Sequence, residues 1–503
     1  MKKILLFNPR SGKWKHRVPN SILQVAASVN DSHEVFYVDG NLEKNPAEKI
    51  QQLISENGIS YFGCTVMPGP QLREAIPISK QIRENFPAVK IIWGGYFATN
   101  QYKVVLESNF VDIVIAGPGD KAFPNLLKAW ENNEPIDEIK NLIYKNAEGD
   151  IVKTRKEELL NPDDLPGMPY ADFNQFYPVQ KYLAKTFMGN KTMAYHSSFG
   201  CPFTCSFCAV VPIYNARWKG KSAENMYQEV KWLKDTYGVD SLEFHDNNFF
   251  TSRKRVVEFS KLILNDNIKW WGEGRIDTLD KYSDEDLQLM SDAGCKMIFF
   301  GAETGSDEVL KQMDKGGTQT AEQIEKFAVR LSQFDIIPEY SFVLGMPGDD
   351  KVKVMKQIDD DINFIKKIKR LNPKTEIIIY LYSPVPTEGS DLYEQITKAG
   401  FSFPATLEEW LDPSWENFDL RKNPLTPWLT SAMVDKIKNF ETVLNGYYPT
   451  SSDFRVSGVK RTLLRTAAWW RYRSGIYNYP YEIKVLHKIW KYRQPEIEGF
   501  YSE

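Results

Sequence analysis

Three cysteines, Cys201, Cys205 and Cys208, form a CxxxCxxC array within the stretch Ser198-Phe-Gly-Cys201-Pro-Phe-Thr-Cys205-Ser-Phe-Cys208. Thiolates are soft ligands that favour iron–sulfur clusters, zinc or copper(I). Three of them on one short loop can converge on one centre. A four-iron cluster held this way keeps one iron open for a substrate or cofactor. A closed structural zinc site needs four ligands. The other two cysteines, Cys64 and Cys295, are isolated in sequence, but His196 could serve as a fourth ligand, so the loop alone leaves zinc open.

The elements around the loop say where it sits. Residues 192–198 read as a strand that Gly200-Cys201-Pro202 breaks, so the cysteines leave a strand end, where functional loops are usually found. Further strands are expected at 241–245, 269–274, 296–301, 338–344 and 376–382, with helices at 223–237, 252–265, 283–293, 320–334 and 351–369 between them. Six such units fit an incomplete parallel barrel better than an eightfold one, with catalytic groups at the carboxyl strand ends. Upstream, strands at 3–7, 34–38, 60–65, 90–93 and 111–116 alternate with helices at 19–29, 46–57, 71–86 and 120–130. That alternation predicts a doubly wound, Rossmann-like parallel sheet. Ligands of such sheets lie beyond the carboxyl ends of the strands. Here those ends are Asn8-Pro9, Thr65-Val66-Met67, Gly94-Gly95-Tyr96 and Gly117-Pro118-Gly119. Glycine there lets the backbone approach a large flat ligand. Asn161-Pro-Asp-Asp-Leu-Pro-Gly-Met-Pro-Tyr170 is proline-rich and polar, and marks a boundary. The expected division is 1–145, a linker at 146–190, a core at 191–400 and a helical region at 401–503.

Composition bounds the class. A chain of 503 residues with 42% hydrophobic and 26% charged residues is expected to be an ordinary globular protein of two or three domains. A net charge of −3 provides no global field for DNA. Five cysteines, three of them clustered, are no disulfide framework and fit a reducing cytoplasm. The apolar run at the start ends at Asn8-Pro9-Arg10 and reads as a first strand rather than a signal peptide.

The cysteine array resembles the radical S-adenosylmethionine (SAM) superfamily. There, three cysteines hold a 4Fe–4S cluster, SAM chelates the open iron, and one electron cleaves it to a 5′-deoxyadenosyl radical. The resemblance extends downstream. In Glu243-Phe-His-Asp246-Asn247-Asn-Phe249 it implies that Asp246 and Asn247 contact SAM's amino group, against the plainer reading of helix caps. Arg275, in Gly-Glu-Gly-Arg275-Ile-Asp277, offers a guanidinium for SAM's carboxylate; the plainer reading is an ion pair with Asp277 or Glu273. Gly294-Cys-Lys-Met-Ile-Phe-Phe-Gly-Ala-Glu303-Thr-Gly-Ser306 is similar to the family's fourth-strand signature and places Glu303 toward SAM. Ser341, in Ser341-Phe-Val-Leu-Gly345, matches the segment near adenine, Tyr382-Ser-Pro-Val-Pro-Thr-Glu-Gly389 matches the sixth-strand turn, and Phe207 is the aromatic before the last cysteine.

Placed before such a core, the first domain resembles the cobalamin-binding domain of cobalamin-dependent radical SAM enzymes. The resemblance implies corrin contacts at Thr65, Val66, Gly94, Gly95, Tyr96, Gly117 and Gly119. The DxHxxG motif of other cobalamin proteins is absent, and Tyr96 stands where relatives often have histidine. The implied activity is methylation of an unactivated carbon through the 5′-deoxyadenosyl radical and methylcobalamin. Alternatives are radical cyclisation, oxidation or rearrangement without methyl transfer, and a non-enzymatic zinc or RNA-binding protein. The implied partners are a small-molecule or natural-product substrate and an electron donor such as flavodoxin or ferredoxin. The tail is weakly similar in style to the subgroup of anaerobic magnesium-protoporphyrin monomethyl ester cyclase and hopanoid methylases.

Between 455 and 493 there are ten basic residues and one acid, Glu482, interleaved with tryptophan and tyrosine. Helices are expected at 456–473 and 481–492. Such helices suit an anionic membrane surface, the barrel mouth or an anionic substrate. The plainer expectation is a solvated basic face around a packing core.

Overall fold

Apolar runs of five or six residues flanked by amphipathic helices bury both faces of a parallel sheet, and the N-terminal part of the chain does this. The computed structural model describes residues 2–12, 17–315, 319–387, 390–419, 425–450 and 456–490. Strands β1 (Lys3–Asn8), β2 (Glu34–Asp39), β3 (Tyr61–Thr65), β4 (Lys90–Gly94) and β5 (Ile113–Ile115) are mutually parallel. Two further strands, β6 (Leu142–Lys145) and β7 (Ile151–Lys153), join antiparallel at one edge. The order is β2-β1-β3-β4-β5-β6-β7. The sheet therefore runs past the boundary expected at 145. Alternate residues feed opposite layers: Leu5, Phe7 and Trp93 enter one apolar cluster, Ile4, Leu6 and Ile92 the other.

That second cluster continues into the core domain through Met193, Leu242 and Trp270. The segment expected to be a linker helps to join them. Its Tyr170, Phe173, Tyr177 and Tyr182 are buried in the same cluster, and the rings of Phe173 and Tyr37 meet edge to face at 5.4 Å. Tyr177 also donates to Glu43 Oε1 at 2.9 Å. Residues 170–182, which follow the proline-rich stretch, are thus packed into the apolar cluster that both domains share.

The core sheet begins with β8 (Thr192–Tyr195), followed by the short antiparallel pair β9 (Ser198–Gly200) and β10 (Trp218–Gly220). It continues with β11 (Ser241–Phe244), β12 (Lys269–Gly274), β13 (Cys295–Glu303), β14 (Ile337–Leu344) and β15 (Glu376–Leu381). The main six are parallel in the order β15-β14-β13-β12-β11-β8, the incomplete barrel expected. Helix Ala223–Tyr237 begins at a Ser222 side-chain cap and ends at left-handed Gly238. The C-terminal region is helical, with Ser431–Tyr447, Val459–Ser474 and Tyr481–Trp490. The first of these was not expected from the sequence. Glu388 and Gly389 of the sixth-strand turn, and the part of the last helix expected at 491–492, lie outside the described residues.

Candidate active site between the two domains

The β9–β10 ladder closes the base of the cysteine loop, pairing Gly200 with Trp218 and Ser198 with Gly220. Gly200 has φ +74° and lies against the Arg217 carbonyl, so a side chain there has neither the conformation nor the room. Ser206 anchors the far side of the loop. Its N–H donates to Met313 O at 2.9 Å, and its carbonyl accepts from Thr387 Oγ1 at 2.8 Å. Phe207 packs into an apolar cluster with Val343, Met346 and Tyr382. The loop is thus clamped by the end of the helix Asp307–Gln312 and by the segment after β15.

Cys205 is buried, and its sulfur lies 3.3 Å from Arg275 Nη1. Burial pushes the thiols of Cys201 and Cys205 up, while the cations of Lys315 and Arg275 pull Cys205 down. Metal ligation requires thiolates, and two cations beside one cysteine favour that form. Among the described residues no three His, Cys, Asp or Glu side chains converge closely enough to hold a metal ion. His196, the fourth ligand of the zinc alternative, faces the other domain, with Asn20 Nδ2 3.1 Å from its Nδ1.

The other candidates divide by how far their polar atoms are already committed. Arg275 grips Asp277 with two hydrogen bonds, 2.9 and 2.7 Å, and its ring-facing side covers Phe203 at 3.8 Å. Asp246 is fully buried and accepts from the Ser197 N–H, the Ser197 hydroxyl at 2.9 Å and the Ser198 hydroxyl. It braces the chain between β8 and β9. Asn247 is exposed and lines the interdomain cleft. Asn248, which sequence reasoning passed over, is 1% exposed and neither amide atom has a hydrogen-bond partner. Its amide also draws the Cys201 thiol down. A buried amide whose polar neighbour is a cysteine of the array fits a ligand bound there. Ser341 is buried in the barrel, its hydroxyl 3.4 Å from Phe300 O.

Glu303 closes β13 at φ +66°, a conformation costly for a residue with a side chain. A register irregularity between Gly301 and Glu303 delivers it there, and Lys315 Nζ holds it at 2.8 Å. The following turn is fixed by Asp361, whose Oδ1 accepts from Thr304 Oγ1 at 2.6 Å and Gly305 N at 3.0 Å. Burial raises the Asp361 carboxyl to about 6. A carboxyl raised in the folded state adds stability that is complete below its unfolded value, near 4, and is lost as pH rises through 6. Asp361→Asn keeps the Oδ1 acceptor and removes the charge. The variant's stability relative to wild type should therefore rise by about 2 kcal/mol between pH 4 and pH 7, measured by urea unfolding at each pH.

A cleft of about 580 Å³ opens between the carboxyl ends of the first sheet and the mouth of the barrel. One wall carries Thr65, Gly94, Gly95, Tyr96, Gly117 and Gly119; the other carries His196, His245 and Asn247. Val66 does not reach it, and its side chain lies in the apolar cluster behind the sheet. Gly95 has φ +88°, and a Cβ there would stand 3.0 Å from Thr65 Oγ1 and 3.1 Å from Val66 N. Asn20 Oδ1 and Asp120 Oδ1 are buried in the same wall without hydrogen-bond partners. A flat bare-backbone wall with unsatisfied polar atoms fits a large ligand that carries amides. Burial among both domains holds the His196 imidazole down to about 4. His245 Nε2 lies 3.2 Å from Glu243 Oε2, and Arg17 Nε lies 3.4 Å from the same oxygen.

The Radical SAM superfamily profile matches residues 195–360, and the B12 binding domain profile matches residues 18–127. This chain is a radical SAM protein with a B12-binding domain. An uncharacterized methyltransferase of Pyrococcus horikoshii is 27% identical over 379 residues, covering 73% of this chain and 78% of the relative. Anaerobic magnesium-protoporphyrin IX monomethyl ester cyclase of Synechocystis is 25% identical over 375 residues, covering 71% and 72%. Among solved structures, the cobalamin-dependent radical SAM enzyme OxsB, with aqua-cobalamin and SAM bound, superposes with a TM-score of 0.70 at 14% identity, covering 98% of this chain and 75% of that one. The cofactors of this radical SAM protein are a 4Fe–4S cluster, SAM and cobalamin. We propose that the cluster sits at Cys201, Cys205 and Cys208 and the corrin in the glycine-walled cleft.

Proposed function

We propose that this radical SAM protein is a cobalamin-dependent methyltransferase acting on a carbon of a small molecule or natural product. The observation that carries the reading is the shared cleft: the glycine-rich strand ends of the B12 domain and the strand ends of the barrel line one space. Bound together, the cofactors supply a 5′-deoxyadenosyl radical and a transferable methyl group. The chain's own part is to hold them facing each other and to exclude water. The cysteine loop is clamped by Met313 and Thr387, which hold its backbone at Ser206. Asn247 and the orphaned Asn248 amide are the SAM contacts we favour over Asp246, whose carboxylate is already committed. Arg275 and Lys315 set the charge beside Cys205. His245, with Glu243 and Arg17, faces the substrate space and offers hydrogen bonds to a polar substrate. A flavodoxin or ferredoxin is the electron donor.

The test is anaerobic reconstitution with iron, sulfide and cobalamin, followed by product analysis under reductant. A methyltransferase forms S-adenosylhomocysteine and 5′-deoxyadenosine together, the former only when cobalamin is loaded. Uptake of cobalamin with 5′-deoxyadenosine alone would favour the second reading, radical ring formation without methyl transfer, which the similarity to the cyclase supports. Failure to take up any corrinoid would overturn both.

A further inference from the structure

The molecule keeps its apolar surface unevenly. Of the sixteen exposed large hydrophobic side chains among the described residues, nine lie between Val459 and Ile489. Helix Val459–Ser474 turns Leu464, Ala468 and Tyr472 inward, yet Val459, Leu463 and Trp470 recur on its opposite face at 76%, 53% and 44% exposure. Helix Tyr481–Trp490 buries Ile483 and leaves Tyr481, Val485 and Ile489 outward at 65%, 55% and 65%. Spacings of four, seven and eleven residues in the first set, and of four and eight in the second, put each on one helical face. The plainer expectation, a packing core with a solvated basic face, describes the inner faces only.

The loop between the helices is built to display an aromatic. Tyr479 is 69% exposed at φ +50°, a conformation a tyrosine adopts only when held there. Arg471, itself buried, holds it. Its guanidinium donates to Asn478 O at 2.7 Å and Tyr479 O at 3.1 Å, and it pairs with Glu482. The Tyr479 and Tyr481 rings then stack at 5.9 Å. Glu482 is the one acid between 459 and 490, against Lys460, Arg461, Arg465, Arg471, Arg473, Lys484 and Lys488. Arg471 neutralises Glu482, and Arg461, Arg465 and Lys484 turn toward Pro449, Tyr447 and Asn439, so the cations beside the outward stripes are Lys460, Arg473 and Lys488.

We infer that these two helices and the Tyr479 loop form a docking surface for an anionic lipid bilayer. This goes beyond the proposed reaction and does not depend on it. Outward apolar stripes flanked by lysine and arginine, with tryptophan and tyrosine between, match the interface of a membrane, where rings sit at headgroup level. No helix among the described residues is long and apolar enough to cross a membrane, so the helices lie on the surface. The charge pattern complements acidic headgroups, each nearby cation adding attraction that salt screens.

The test uses the full chain loaded with its cluster, sedimented with vesicles of phosphatidylglycerol or of phosphatidylcholine. Binding to phosphatidylglycerol should exceed binding to phosphatidylcholine by about tenfold and fall with added salt. The tryptophan emission should shift to the blue. Val485→Glu with Ile489→Glu, both on an exposed face, should lower vesicle binding by about tenfold while melting temperature and 5′-deoxyadenosine formation stay unchanged. Equal sedimentation with both lipids, no sedimentation with either, or undiminished binding by the double variant would overturn the inference. So would RNA or protein binding that this variant abolishes in the absence of any vesicle binding.

Discussion

The Cys205→Ala protein should retain markedly less iron after anaerobic reconstitution and should form 5′-deoxyadenosine at background rate. A loss exceeding about a thousandfold corresponds to about 4 kcal/mol of barrier. Cys205 is the cysteine of the array that the fold has invested in most heavily. It is buried, its sulfur touches Arg275, and Lys315 stands close enough to lower its thiol. Without that thiolate, two buried cations lose the anion they share, and a three-ligand cluster has two. Cys295→Ala is the matched control. Cys295 is fully buried at the start of β13, far from the loop in sequence, and its replacement costs packing only, about 1 kcal/mol. Iron content and SAM cleavage should survive it. Near-normal iron and cleavage in Cys205→Ala, with loss in Cys295→Ala, would remove the assignment of the cluster to this loop.

Much of this arrangement is legible in the residues themselves. The helices Pro46–Asn57 and Ala223–Tyr237 and the strand Lys269–Gly274 fall where composition and punctuation place them. The helices begin at Pro46 and at the Ser222 cap, and both end at a left-handed glycine. What is not legible is short. The strands Leu142–Lys145 and Ile151–Lys153 have four and three residues on an antiparallel edge, too few to show a period. The helices Gly95–Asn100 and Tyr102–Glu107 have six residues each, less than two turns. The site divides in the same way. Cysteine spacing survives as sequence because all three thiols leave one loop. The cation beside Cys205 does not, because Lys315 comes from a turn twelve residues beyond Glu303 and belongs to no motif. In Asp246-Asn247-Asn248 the three side chains separate completely: one braces Ser197, one faces the cleft and one is buried unpartnered. Only the path of the backbone after β11 decides which does which. Arg275 and Asp277 are two apart, a spacing that allows an ion pair, and the structure adds that the pair is nearly sealed from solvent.

That sealing makes Asp277 the most sensitive position outside the cysteines. Its side chain is 3% exposed and that of Arg275 8%, with Nη2 to Oδ2 at 2.7 Å. Asp277→Ala leaves a guanidinium buried against Phe203 and Cys205 with no carboxylate, and the loss of one partner of such a pair costs about 3–5 kcal/mol. The double variant Arg275→Met, Asp277→Leu removes both charges and replaces them with apolar volume, so denaturant unfolding should recover most of that loss. Iron retention should not recover, because the cation that favours the Cys205 thiolate has gone. The two readouts separate the two roles of the pair: Asp277 keeps a buried charge tolerable, and that charge keeps a thiolate available. If Asp277→Ala unfolds within about 1 kcal/mol of wild type, the carboxylate is not compensating the arginine. If the double variant holds iron as well as wild type, Arg275 is a scaffold residue and the charge beside Cys205 comes from Lys315 alone.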